Sequence, residues 1–232
     1  MFARFKILGI ALIVAGFVFV GIGGYTYYKT QEGAASLQAF SAAQDVRLTY
    51  NEQGQLTDRG TTEGSAAIMG LLVNDWGYTV NSAELNPADP TVNTASEYMY
   101  QMATIAYHTL NGTQTVVLPE TVTTDKGDVF EAGTYEVPVA GRYWSDFDRT
   151  NPLDASVREQ AWTGTAHALI ANLGVGSVTA SALTMGLGIA AIAGLLGLTL
   201  LLVGAGVIWA ARPVVETESV KVTKRAAAPA AA

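Results

Sequence analysis

Leu183-Thr-Met-Gly-Leu-Gly-Ile-Ala-Ala-Ile-Ala-Gly-Leu-Leu-Gly-Leu-Thr-Leu-Leu-Leu-Val-Gly-Ala-Gly-Val-Ile-Trp209 contains thirteen Leu, Ile or Val residues, and nothing in it is more polar than Thr184 and Thr199. It is the apolar end of a run of about sixty residues, Pro152 to Arg212, with no internal proline and no formal charge between Arg158/Glu159 and Arg212. The run reads as one long helix, or two stacked collinearly, whose first part roofs a folded domain and whose second part crosses a membrane. A hairpin of two spans is disfavoured by the stretch Ala168 to Ala182. There only Leu169, Ile170, Leu173, Val175 and Val178 favour hydrocarbon, while Asn172, Ser177, Thr179 and Ser181 oppose it. An unpaired polar group in hydrocarbon costs about 1–3 kcal/mol or more, so this half at best breaks even.

Working outward, a second segment of this kind lies near the N-terminus. Ile7 to Tyr25 is nineteen residues without a charge, eleven of them Leu, Ile, Val or Phe. As a helix it would be about 28 Å long, close to the roughly 30 Å hydrocarbon core, and its apolar side chains favour insertion by several kcal/mol. Tyr25, Tyr27 and Tyr28 fall where an interfacial aromatic belt belongs. Arg4 and Lys6 would also suit the basic start of a signal peptide, but the apolar stretch is long and no A-x-A site directly follows. A retained anchor is the expectation.

The composition agrees. Half of the 232 residues are apolar and 14% are charged, the balance of a membrane protein. Cysteine is absent, which excludes disulfides, thiolate metal sites and a cysteine nucleophile. A net charge of −7 with two histidines argues against a phosphate-tracking surface and a histidine-rich metal centre. Neither a nucleic-acid partner nor a cofactor is expected. The partners expected are the lipid bilayer and other membrane-protein subunits.

Between the apolar segments the patterns mix. Ala34, Leu37, Phe40 and Ala43 recur at helical spacing and extend the first helix to about Gln44. Val46 to Tyr50 alternates as a strand, with Asn51-Glu-Gln-Gly54 as its turn. Met69, Leu72, Val73 and Trp76 mark the buried face of a helix from Thr61/Thr62 to Gly77. Thr94-x-x-Glu97 is a capping box opening a helix that Asn111-Gly112 stops after Leu110. One stripe of that helix, Met99, Ala103, Ala106 and Leu110, is apolar; the other, Glu97, Gln101, Thr104 and His108, is expected to face water. Short β-rich runs follow at Thr115–Leu118, Asp128–Phe130 and Thr134–Val139. With turns at Asp125-Lys-Gly127 and Glu131-Ala-Gly133, they read as a small antiparallel meander. A loop, Gly141 to Asn151, leads to Pro152 at a first helical position.

The expected fold is therefore α+β, with two transmembrane helices flanking an extracytoplasmic domain of helices and a small meander. Its divisions are residues 1–28 (cytoplasmic N-terminus and first span), 29–182 (external domain), 183–210 (second span) and 211–232 (a disordered basic cytoplasmic tail). Arg4 and Lys6 precede the first span, and Arg212, Lys221, Lys224 and Arg225 follow the second. The intervening loop holds eighteen acidic and seven basic residues. Positive flanks stay inside, so both termini are expected in the cytoplasm.

This outline resembles the small actinobacterial membrane proteins that carry the label "aromatic ring-opening dioxygenase LigA". The matching parts are Lys6-Ile-Leu-Gly-Ile-Ala-Leu-Ile-Val-Ala-Gly16 with its Gly-Tyr-Thr exit, and Ala161-Trp162 through Leu173-Gly174-Val175 to Met185-Gly-Leu-Gly188, about a third of the chain. The resemblance implies a two-helix membrane protein with an external domain. Dioxygenase chemistry does not carry over, because it needs a cluster of metal ligands and no histidine pair with a carboxylate stands at helical or strand spacing.

Candidate sites are few. Asp146, Asp148, Asn151 and Asp154 place four oxygen side chains within nine residues, a donor set that suits a hard cation, but without the glycine and terminal glutamate of an EF-hand. The alternative is a solvated loop with Asn151 or Asp154 capping the next helix. His108 and His167 read as surface or packing residues. No G-x-S-x-G occurs. Ala190-x-x-x-Gly194 and Ala193-x-x-x-Gly197 form small-residue ridges that permit close helix contact. Their expected partner is the first span through Gly9, Gly16 and Gly23, with another protein as the alternative. Tyr78, Tyr98, Tyr100, Tyr107, Tyr135, Tyr143 and Trp144 either line a pocket or pack in the core and at the interface. The function expected is a non-catalytic accessory or scaffolding subunit of a cell-envelope or respiratory membrane assembly. The alternatives are a ligand-sensing or solute-binding module, which a pocket with convergent polar groups would favour, and an extracytoplasmic hydrolase, which His, Asp and Ser meeting in space would favour.

Overall fold

The computed structural model describes residues 2–212; most of the tail expected at 211–232, with its basic residues Lys221, Lys224 and Arg225, lies outside them. The chain forms a mixture of helices and small antiparallel sheets, dominated by two long apolar helices. Helix α1 runs Phe2–Gln44, 43 residues without a break. It ends at Asp45, whose backbone enters the left-handed region (φ 49°) that terminates helices. At the other end of the chain, α4 spans Pro152–Ala161 and α5 spans Gly164–Ala210, 47 residues. The long stretch from Pro152 is thus two helices, and the break has a definite cause. Trp162 leaves helical geometry (ψ 61°) to bury its indole, which donates to the Arg142 carbonyl at 3.1 Å. The Thr163 hydroxyl then accepts from the Ala166 amide and caps the new helix.

The chain folds as two compact units. Among the described residues, one comprises residues 2–25 together with residues 190–212, and the other is Thr26–Ile189. In the first unit α1 and α5 lie antiparallel, with Gly9 against Gly204 and Ile208, Gly16 against Gly197 and Leu201, and Gly23 against Ala190 and Gly194.

The second unit is built on α3, Ala95–Leu110. Its expected capping box is present. Thr94 Oγ1 accepts from the Glu97 amide, and Glu97 Oε2 accepts from the amides of Asn93 and Thr94 and from the Thr94 hydroxyl. Serving as this cap, Glu97 is buried, 1% exposed, and does not join the wet stripe expected of it. Tyr98, Tyr100 and Ala103 pack with Leu48, Ile68, Leu72, Val92 and Ala180 into one core. Leu110 enters a second with Val116, Leu118, Val139, Phe147, Val157 and Trp162. Helix α2, Thr62–Gly70, is capped by Thr61 and passes into a π-helical turn, Leu71–Asp75. Leu72 of that turn faces the first core while Leu71 packs on the second.

The strands form three two-stranded antiparallel sheets. β1 (Thr49–Tyr50) pairs with β2 (Leu56–Thr57), and β3 (Thr113–Leu118) pairs with β6 (Gly133–Pro138) along six residues from Thr113↔Pro138 to Leu118↔Gly133. Between the last two, β4 (Val122–Thr123) and β5 (Val129–Phe130) close their own small hairpin. This nesting differs from the expected meander. The turn at Asp125-Lys-Gly127 makes the inner hairpin, and the chain from Glu131 to Gly133 feeds the outer ladder instead of reversing direction.

Tyr98 ties three helices together. Its hydroxyl meets the Ser41 hydroxyl of α1 at 2.7 Å, and its ring fills the space beside Gly176 of α5. A methyl group added at Gly176 would lie 2.6 Å from the ring, whereas one at Gly174 would meet only Met102 Sδ at 3.8 Å. The ring is buried, and moving it aside would break its hydrogen bond to Ser41. Gly176→Leu should therefore lower the stability of this unit by about 1–3 kcal/mol, seen as a lower melting temperature and faster proteolysis. Gly174→Leu should cost clearly less, and equal effects would contradict this geometry.

Burial pushes the Glu97 carboxyl above its ordinary value, against the pull of the amide and hydroxyl donors around it. The folded state thus holds that proton more tightly than the unfolded state. The contribution is complete below the ordinary carboxylate range and is lost as pH rises through the raised value. Relative to Glu97→Gln, which does not ionise, the wild-type protein should lose stability on going up from about pH 4, followed by denaturant midpoints across the acid range.

Candidate functional site

Three regions bear on function, and the first is the seam of the unit formed by the chain's two ends. A methyl group added at Gly16 would stand 2.8 Å from the Gly197 carbonyl oxygen, and one at Gly23 would stand 2.8 Å from the Gly194 amide nitrogen and 2.9 Å from the Ala190 oxygen. One at Gly197 would meet the Val20 nitrogen at 2.6 Å, and one at Gly204 the Gly9 oxygen at 2.7 Å. Ala190 and Ala193 are buried. Of the residues expected in the ridge, Gly194 offers its backbone to Gly23, but its own missing side chain points into open space. The sequence reading missed Gly204. The better signal is spacing by seven: Gly9, Gly16 and Gly23 on one helix and Ala190, Gly197 and Gly204 on the other. A seven-residue repeat keeps one face turned to its partner along a left-handed crossing.

The second region is the acidic loop. Asn151 caps α4, accepting from the Leu153 and Asp154 amides. Asp154 pairs with the Arg142 guanidinium at 2.7 Å and accepts from the Asp148 amide. Asp146 accepts from the Tyr143 amide at 2.8 Å. Asp148 takes both the amide and the hydroxyl of Thr150, which with Lys126 at 3.5 Å hold its carboxyl below the ordinary value. Each of the four oxygen donors is turned to a different partner, and among the described residues no three His, Asp or Glu groups stand together as a metal site would require. The organiser is Arg142, which the sequence did not single out. Its side chain also donates to the Val139 and Pro138 carbonyls and lies 4.3 Å from the centre of the Phe147 ring.

The third region gathers aromatic side chains. His167 packs at 5.2 Å from Trp144 and 5.8 Å from Trp162, and Tyr143 stacks on Trp162. Across from Tyr143 stands Trp76, whose indole donates to the Tyr143 hydroxyl at 2.9 Å. These two, with Tyr107, Asp75, Asn111, Leu71, Leu110, Ala67 and Gly141, line an open cleft of about 670 Å³. Next to Tyr107, His108 Nε2 meets Asp58 Oδ1 at 3.0 Å. Fifty residues separate that pair in sequence, so no motif announces it. Among the described residues no serine or threonine hydroxyl bonds to His108. Tyr100 is buried beside Asp58, and burial first, then that carboxylate, pushes its hydroxyl up to about 12. The nearby Ser65 hydroxyl donates to the Leu56 and Thr62 carbonyls, which leaves only its lone pairs to face the Tyr100 hydroxyl.

In comparisons with protein-family models, curated proteins and solved structures, nothing matches the chain.

The seam makes a sharp prediction because Gly21, Gly24 and Gly206 share the same helices but face open space. Gly16→Leu and Gly197→Leu should each destabilise the detergent-purified protein by about 1–3 kcal/mol, since backbone atoms cannot yield. Gly21→Leu should leave the melting temperature near that of the wild-type protein. Equal losses at Gly16 and Gly21 would refute backbone contact along this face.

Proposed function

We propose that the chain is a two-pass membrane protein that holds Thr26–Ile189 on the outer side of the cell membrane and serves as a non-catalytic accessory or scaffolding subunit of a membrane assembly. The observation that carries this reading is the exposure of its apolar helices. A core helix of a soluble protein is mostly buried, yet in the most apolar windows of α1 and α5 only 17% and 11% of the residues are. Phe17, Val18, Leu195 and Leu202 point outward, a surface that lipid covers. The seam supports retention of α1 as an anchor. Removing it as a signal peptide would strip the partner from Gly197 and Gly204. Antiparallel packing sets Arg4 and Arg212 at the same end of the helix pair, consistent with the positive-inside expectation. The resemblance to small two-helix actinobacterial proteins points the same way.

A scaffolding role is supported by how the domain spends its polar groups. Arg142, Asp146, Asp148, Asn151 and Asp154 tie a loop down, and His167 is packed on two tryptophans. The cleft beside Trp76 favours the second reading, a ligand-binding module on the same anchor.

Because the chain lacks cysteine, single substitutions report topology directly. In intact cells Gly127→Cys should react with a membrane-impermeant thiol reagent, and Thr217→Cys should react only after permeabilisation. The opposite labelling would overturn the orientation. Purification from native membranes in mild detergent should then recover a stoichiometric membrane partner, and a chain that purifies alone would count against the scaffold role.

A further inference from the structure

The cleft lined by Trp76, Tyr107 and Tyr143 contains one charged side chain, Asp75. Among the described residues that carboxylate makes no ion pair or hydrogen bond, although most other carboxylates of the domain are engaged in one. Asp75 closes the π-helical turn, and Trp76 follows it directly. Their position depends on the extra residue of that turn: the Trp76 amide bonds to the Leu71 carbonyl, five residues back, at 3.1 Å. Such turns recur where a helix must re-aim side chains. The indole is held by its bond to the Tyr143 hydroxyl, and Tyr143 is backed by Trp162.

We propose that this cleft binds an organic ammonium cation, a trimethylammonium or protonated amine group, against Trp76, Tyr107 and Tyr143 with Asp75 as its counter-charge. Aromatic faces carry negative potential and attract weakly hydrated cations, most strongly at tryptophan. The unpaired carboxylate has the same sign, and no basic side chain lines the cleft to compete. The domain around it is acidic, so its long-range field also draws cations in. At about 670 Å³ and open to solvent, the cleft has room for the remainder of a larger molecule that ends in this group. Asn111, with its side-chain amide bonded to the Tyr107 carbonyl, stands at the rim with its amide oxygen to spare for a hydroxyl or amide neighbouring the cation. This inference does not depend on the scaffold reading. An anchored domain binds the cation whether or not it also docks a partner.

The test uses the full chain in phosphatidylglycerol nanodiscs, which contain neither choline nor sugar headgroups. Titration with choline at constant ionic strength, read by calorimetry and tryptophan fluorescence, should show saturable binding. The neutral isostere 3,3-dimethylbutan-1-ol should bind about tenfold more weakly or not at all. Asp75→Asn, which removes a group with no structural partner, should weaken choline about fivefold or more with the melting temperature unchanged. Trp76→Phe, keeping a ring but losing the indole, should weaken it as well. Absence of saturable choline binding, equal affinity for the neutral alcohol, or an Asp75→Asn affinity equal to the wild-type value would each overturn the proposal.

Discussion

Backbone against backbone is the contact on which this architecture depends. Two helices come together at Gly9, Gly16 and Gly23 so closely that a methyl group has no room between them. Where lipid surrounds such a pair, as proposed here, apolar side chains gain little by leaving it for each other. Association then has to come from the many weak contacts that close approach permits. Glycine lowers helix propensity by about 1 kcal/mol relative to alanine, so its recurrence at this spacing is explained by packing rather than by local preference. The bulky Leu, Ile, Val and Phe residues are thereby left for the outer surface.

The same economy of small residues continues in the domain. Gly176 makes room for the Tyr98 ring, and the ring's hydroxyl reaches Ser41, so α1, α3 and α5 meet at one aromatic side chain. Around it α3 bridges both cores, with its first turn sealed by a buried carboxylate and its last turn packed by Leu110. The β3–β6 ladder packs Val116 and Leu118 into the second core, while the β1–β2 and β4–β5 pairs are two residues long.

Much of this was legible in the sequence. Long apolar runs, the capping box at Thr94, the stop at Asn111-Gly112 and Pro152 with its Asn151 cap are local signals, and local chemistry decides them. What escaped were the relations between distant residues. Glu97 lies on a polar stripe by periodicity, yet capping required it to be buried. The break at Trp162 is marked in the sequence only by Gly164, a weak signal in a segment rich in glycine, and it follows from where an indole finds a carbonyl twenty residues away. Arg142 looks like any loop cation until Asp154 and two carbonyls converge on it. Asp58 and His108, and Trp76 and Tyr143, are pairs that only tertiary contact creates. The oxygen-rich loop shows the converse. Four side chains that suit a cation in the sequence are each assigned, in the fold, to a separate amide, hydroxyl or guanidinium.

The seam also acts on the domain as a cross-link. The segment from Thr26 to Ile189 is a loop whose ends the helix pair holds together, so as long as that pair stays intact the segment, when unfolded, is a closed ring rather than a free chain. Closing a ring of this size withdraws roughly 4–5 kcal/mol of entropy from the unfolded ensemble. In a chain without cysteine, a glycine-lined helix pair supplies the constraint that disulfides give to secreted domains. It follows that the domain expressed without its helices would lose stability although none of its internal contacts had been removed.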